Sequence, residues 1–343
     1  MMYLSVLGGF VLLVLSGDLL VRGAVGLASR FGTSPLVIAV TVVALGTSMP
    51  ELVISADAAL QGSPEIALGN VIGSNIANIL LVLGLPALIS PLSCSDGSLK
   101  GSVLIMLGAS AALTALCFLG PIGRGEGLLL LVLCGAYVAW SLLEVRTHRL
   151  EARALAAEAR ALALEVKEPG KAVEQAVEHA LVKNVPTAAT SWAVIAAFTL
   201  IGFVGLPLGA HLVVSGGTAI ARAFAVPEAT IALTLVAVGT SLPELTTSLM
   251  AAWRKEHDVA IGNVIGSNII NILAILGVSS LIAPLPVAAN FLHVDLWAML
   301  LAAFAIVPTV MSRARITWWK GAMFVLAYAI YMVSIFQRGS EAI

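Results

Sequence analysis

The chain has 343 residues, of which 59% are hydrophobic and only 11% charged, with a formal net charge of −1 and a mean hydropathy of +1.03. A soluble domain carries about 25% charged residues, and a single aqueous core cannot hide so large an apolar surplus. The composition therefore excludes a soluble bundle, and the balanced charge, with no basic patch or phosphate loop, excludes nucleic-acid binding.

The first residues, MMYLSVLGGFVLLVLSG, lack a basic stretch ahead of the apolar run. They read as a retained helix rather than a cleaved signal. Ten runs reach the ~20 apolar residues that a spanning helix needs. They are 3–28, 34–60, 65–90, 101–121, 126–146, 189–223, 227–253, 258–283, 290–312 and 316–337. The expected fold is an all-α polytopic membrane protein.

Residues 147–186 interrupt this pattern with many of the charges. EARALAAEARALALE is rich in strong helix formers, and Pro169-Gly170 is a stop signal. The segment reads as a solvated linker, so the expected organisation is 1–146, a linker at 147–186, and 187–343. With the N-terminus outside, most loop Lys and Arg fall on the inner side, leaving Arg124, Arg222 and Arg338 outside. The positive-inside rule then puts both termini outside a cell membrane and the 147–186 loop in the cytoplasm. Cys94, Cys117 and Cys134 are scattered, with no zinc-type spacing.

The strongest feature is self-similarity. VVALGTSMPELVIS at 42–55 returns as LVAVGTSLPELTTS at 235–248, and ALGNVIGSNIANIL at 67–80 returns as AIGNVIGSNIINIL at 260–273. The offset is constant, since 244 − 51 and 271 − 78 both equal 193. It spans five helices, an odd number, so matching helices cross in opposite directions. The expectation is two inverted five-helix repeats with a substrate site at the bilayer midplane, where they meet.

The repeated blocks carry the chemistry. Glu51 and Glu244 place an acid twice at the same depth, where each costs about 3 kcal/mol or more. Asp18 is matched by His211 and Asp57 by Met250, so these two acids read as local hydrogen-bonding residues. Thr47, Ser48 and Glu51 share one flank of a helix. Pro50 denies a donor to the carbonyl of Gly46, so the helix is expected to kink or open between Ala44 and Thr47 and to free carbonyl oxygens. Thr240, Ser241 and Glu244 repeat the arrangement. On the following helix Asn70, Ser74 and Asn78 recur every four residues, as do Asn263, Ser267 and Asn271. Gly69 and Gly73 leave room for a close backbone neighbour. Every donor in this set is oxygen, which suits a hard cation, Ca²⁺ or Na⁺, and two carboxylates neutralise one Ca²⁺. A bare ionised pair is costly, which favours exchange over leak.

At these residues the chain resembles the cation/calcium antiporter superfamily, specifically the prokaryotic sodium/calcium exchangers. The carriers are G-T-S-x-P-E and G-N-x-x-G-S-N-x-x-N, each present twice. The resemblance implies ten helices in two inverted halves, with the first and sixth sliding across a body of eight. It implies ligands at Thr47, Ser48, Glu51, Ser74 and Asn78, and at Thr240, Ser241, Glu244, Ser267 and Asn271. It adds the backbone carbonyls of Ala44 and Ala237. Many relatives carry an acid where this chain has Asn271, which argues against potassium dependence. Three Na⁺ replacing one Ca²⁺ would leave the site at +1 and make exchange voltage-driven, at about 2.3 kcal/mol per charge per 100 mV.

The reading is a Na⁺/Ca²⁺ secondary antiporter with no prosthetic group. An H⁺/Ca²⁺ or other cation antiporter using the same glutamates is the alternative, and a passive cation channel is a third. An intramembrane enzyme lacks a nucleophile paired with a base.

Overall fold

The computed structural model describes residues 1–93, 99–165, 191–224, 237–312 and 314–341, with side chains except at 145–165, 237 and 339–341. Among the described residues ten helices follow one another. They are α1 (Met2–Phe31), α2 (Pro35–Thr47 with Met49–Leu60), α3 (Pro64–Ile89), α4 (Leu99–Leu119) and α5 (Arg124–Glu165). The second half brings α6 (Trp192–Ala223), α7 (Ala237–Thr240 with Leu242–Trp253), α8 (His257–Ile282), α9 (Phe291–Met311) and α10 (Trp318–Glu341). Among the described residues eight helices are long and apolar enough to cross a membrane, and the bent pair of α2 makes a ninth. The expected run at 227–253 is described only from Ala237 on, as α7.

The protein is an all-α polytopic membrane protein of two inverted repeats, and its backbone irregularities repeat with the sequence. α3 widens to a π-helical turn at Asn78–Val82, and α8 does so at Asn271–Ile275. Ser48 breaks α2 at φ −82° and ψ 2°, and Ser241 breaks α7 at φ −87° and ψ 4°. The turns after these helices hold Gly62 at φ 81° and, 193 positions on, Lys255 at φ 62°. Short extended pieces tie one repeat to the other. β1 (Leu92–Ser93) pairs antiparallel with β2 (Arg315–Ile316), and Ile122 bridges Leu285, the repeat mate of Leu92.

The linker region begins inside a helix. α5 continues without interruption to Glu165, so no break separates the fifth run from EARALAAEARALALE. The stop expected at Pro169-Gly170, with Cys94 and Arg313, lies outside the described residues.

The third helix of each repeat, α3 and α8, runs through the core. α8 is almost wholly enclosed, its Gly266 so close to α2 that a Cβ would fall 2.4 Å from the carbonyl oxygen of Val40. Only glycine permits that approach. Around this body α1 and α6 cross as a tight pair.

Candidate cation site

Glu51 and Glu244 sit at the same point of their helices, in the first turn after the break. The break is a consequence of sequence. Pro50 and Pro243 have no N–H to continue the ladder, yet fit the first turn of a new helix. The opening expected at Ala44–Thr47 falls at Ser48, where the two parts of α2 meet at 42°. The π-helical turn Ala39–Val43 precedes it. The Ala44 carbonyl accepts from the Ser48 N–H at 3.0 Å and from the Thr47 hydroxyl at 3.4 Å. It is therefore not freed outright; it keeps weaker acceptor capacity. Ala237 opens the described part of α7.

The breaks bring the two glutamates together. Both are wholly buried. The Ser48 hydroxyl, from the turn that carries Glu51, donates to Oε1 of Glu244 at 3.3 Å. Both carboxylate oxygens of Glu51 and Oε2 of Glu244 have no hydrogen-bond partner. No Lys or Arg pairs with either acid among the described residues. An uncompensated buried carboxylate costs several kcal/mol, so this pair needs a positive charge.

The asparagines are oriented to supply further oxygens. Asn78 donates its amide N–H to Oδ1 of Asn268 at 3.0 Å. Asn271 donates to Ser74 at 3.0 Å and to Oδ1 of Asn75 at 3.3 Å. Asn75 and Asn268 each donate to the other's backbone carbonyl, at 3.5 and 3.2 Å. This reciprocal set is what a pseudo-two-fold between repeats produces. With their nitrogens engaged, Asn78 and Asn271 are left with buried Oδ1 atoms that lack a donor. The Ser241 hydroxyl is also buried without a partner.

The remaining expected ligands divide unevenly. Thr47 donates to Oδ1 of Asn263 at 3.1 Å and lies 3.4 Å from the Ser267 hydroxyl. Their mates Thr240 and Ser74 line instead a cavity of about 470 Å³ with Gly69, Asn70, Phe291 and Asp295. Asn70 also donates to the Glu51 carbonyl at 3.3 Å and to Ser55 at 3.0 Å. The cavity exposes a feature the sequence reading passed over. Asp295, buried on α9, accepts from Arg338 at 2.9 Å and from Tyr331 at 3.2 Å, both on α10. Its signal was present as an ionisable residue inside an apolar run. Of the two acids read as local, Asp57 accepts from Gln61 four residues on. Asp18 reaches further, pairing with Arg22 on its own helix and with Arg254 beyond α7.

Inverted repeats and a buried oxygen-rich centre define a polytopic membrane transporter. The family model described as sodium/calcium exchanger protein matches residues 1–143 and 194–337, and the chain belongs to that family. It is a family of transporters, not of enzymes. The chain is 36% identical over 278 residues to the inner membrane protein YrbG of Escherichia coli, covering 80% of this chain and 78% of that one. It is 32% identical to the sodium/calcium exchanger MaX1 of Methanosarcina acetivorans, covering 97% and 98%. A solved structure of the sodium-calcium exchanger NCX_Mj soaked with zero Na⁺ and Ca²⁺ superposes with a TM-score of 0.78 at 32% identity, covering 98% and 100%.

Proposed function

We propose that the chain is a secondary antiporter that exchanges Na⁺ for Ca²⁺ by alternating access to a midplane site built on Glu51 and Glu244. The cluster of buried acceptor oxygens without donors carries this reading: three from the glutamates and one each from Asn78 and Asn271. Carboxylate and amide oxygens with no soft ligand suit Ca²⁺, which takes six to eight oxygens. Thr47, Ser48 and Ser74 with the carbonyl of Ala44, and Thr240, Ser241 and Ser267 with that of Ala237, complete the set. Na⁺ shares these oxygens in flanking positions. Two carboxylates neutralise one Ca²⁺, and replacement by other cations keeps the pair compensated while it crosses between access states.

The organisation proposed with it is 1–146 and 187–343 as the repeats, joined by a cytoplasmic linker at 147–186, with both termini outside. The Lys and Arg distribution supports that orientation. The match to an inner membrane protein supports a cell-membrane location.

The test is Ca²⁺ flux in proteoliposomes with Na⁺ and H⁺ gradients imposed separately. Flux driven by Na⁺ and insensitive to a pH gradient is expected. Flux that needs no Na⁺ and follows pH would assign H⁺ as the counter-ion through the same glutamates. Single-channel currents would replace exchange by conduction. Asn271→Asp adds a third acid and is expected to change Na⁺ coupling more than Ca²⁺ recognition.

A further inference from the structure

The two repeats share sequence and local backbone form but not packing, and the difference follows where α1 and α6 lie. These helices meet through a glycine seam. A Cβ on Gly9 would fall 2.8 Å from the Gly209 carbonyl oxygen, and one on Gly209 3.1 Å from that of Gly9. They behave as one unit, yet the unit packs unevenly on the body. α1 lies along Leu242–Trp253, so close at Gly17 that a Cβ would meet Thr246 at 3.0 Å. Shifted by 193 residues, the equivalent contact puts Ala210 of α6 against Val53 of Met49–Leu60. α6 makes no comparable packing there. A cavity of about 350 Å³ lies in its place, lined by Val53, Ile54, Ala210 and His211 among others. Val53 is 62% exposed, whereas its mate Thr246 is 9% exposed.

An ion pair marks the end of the closed contact. Asp18 of α1 accepts from Arg254 in the turn between α7 and α8. The same offset maps Asp18 to His211 and Arg254 to Gln61. Both mates are exposed at the open contact, and the Gln61 amide is turned to Asp57 at 2.6 Å. Inverted repeats built on the same motifs and helix order can exchange conformations, so the arrangement of one half is the template for the other half in the opposite state.

We propose that Asp18 and Arg254 form a latch that holds the α1–α6 pair against α7 in this access state, and that His211 and Gln61 are the positions that meet when the pair slides to the other. The proposal rests on the alternating-access reading above. Asp18 and Arg254 touch none of the expected cation ligands, so they act as positioning residues. The latches differ in kind, a salt bridge at one end against an imidazole and an amide at the other. The sequence thereby weights the two states unequally, in favour of closure at the Arg254 end. Arg22 shares Asp18 at 3.0 Å, and Arg30 and Glu256 line the adjoining cavity of about 380 Å³. Water and salt reach the pair, so its effect is that of a screened interaction.

The test uses the full chain in lipid nanodiscs, with native cysteines replaced and His211→Cys with Gln61→Cys introduced. The cross-linking rate of a short thiol reagent is measured. Asp18→Asn is expected to raise it between about twofold and fivefold, the range for one screened ion pair. Arg254→Gln should do the same, and the double substitution should add nothing further. Arg22→Gln, which removes only the competing cation that shares Asp18 on α1 itself, should leave the rate unchanged or lower it. Rates unaltered by either latch substitution, or matched by Arg22→Gln, would overturn the latch. Arg254→Gln carries the test if Asp18→Asn does not fold. Ca²⁺ flux is measured separately. A cross-linking shift without Na⁺-driven flux would sink the transport reading and keep the latch; normal flux without a shift would sink the latch alone.

Discussion

Asp295 and the Glu51–Glu244 pair are buried acids treated in opposite ways. Asp295 is 7% exposed, and its two oxygens meet the Arg338 guanidinium at 2.9 and 3.4 Å, with the Tyr331 hydroxyl at 3.2 Å. Its counter-charge is covalently part of α10 and cannot leave. The glutamates are more deeply buried, yet three of their four oxygens have no donor. A fixed counter-ion makes a buried carboxylate part of the scaffold. A carboxylate with none built in leaves room for an ion that comes and goes, as the proposed antiport requires. The lesson is that burial alone does not mark function here; what matters is who supplies the opposite charge.

The sharpest way to break this contrast is to neutralise each acid in turn. Glu51→Gln or Glu244→Gln should lower Ca²⁺ exchange at least a hundredfold, a loss of about 3 kcal/mol or more, read as radiolabelled Ca²⁺ uptake into proteoliposomes. Thermal stability without added cation should hold or rise, because one of two desolvated charges is gone. Exchange at the normal rate would remove these acids from the mechanism.

Arg338→Met reverses the situation, leaving Asp295 buried without its partner. It should destabilise the fold by about 3–5 kcal/mol, read by thermal unfolding in detergent, and Asp295→Asn added to it should recover part of the loss. An unchanged melting temperature would mean that Asp295 was not held by the guanidinium. Asn268→Ala tests the layer behind the site. Removing the acceptor that fixes the Asn78 amide should weaken Ca²⁺ binding about tenfold, with the effect in affinity rather than maximal rate. The smallest effect is expected far from the site. Lys255 holds a left-handed conformation that its mate Gly62 holds freely, so Lys255→Gly should add up to about 1 kcal/mol in the same melting assay.

Much of the candidate site's framework was legible because its signals are local. Pro50 and Pro243 announce a break in each helix, although it falls at Ser48 and Ser241 rather than over Ala44–Thr47, and the 193-residue offset announces a pseudo-two-fold centre. What sequence reading missed was non-local. It treated Asp18 as serving its own helix, whereas the fold carries Arg254 to it across more than two hundred residues of chain. It passed over Asp295 because its partner lies on another helix, and the reciprocal bonding of Asn75 and Asn268 depends on which backbone carbonyls the fold brings to them.

The sequence by itself determined the class of solvent, the ten helices, the inverted repeat and the acids at its centre. Each of these is written in composition or spacing, and lipid enforces them through helix length and the cost of buried charge. Only the tertiary structure decided that Thr47 and Ser267 lie enclosed while Ser74 and Thr240 line a cavity. Identical motifs cannot choose between two environments. That choice belongs to the placement of α1 and α6, which is collective: it is set by packing across the whole body and by single unmatched residues such as Asp18 and His211.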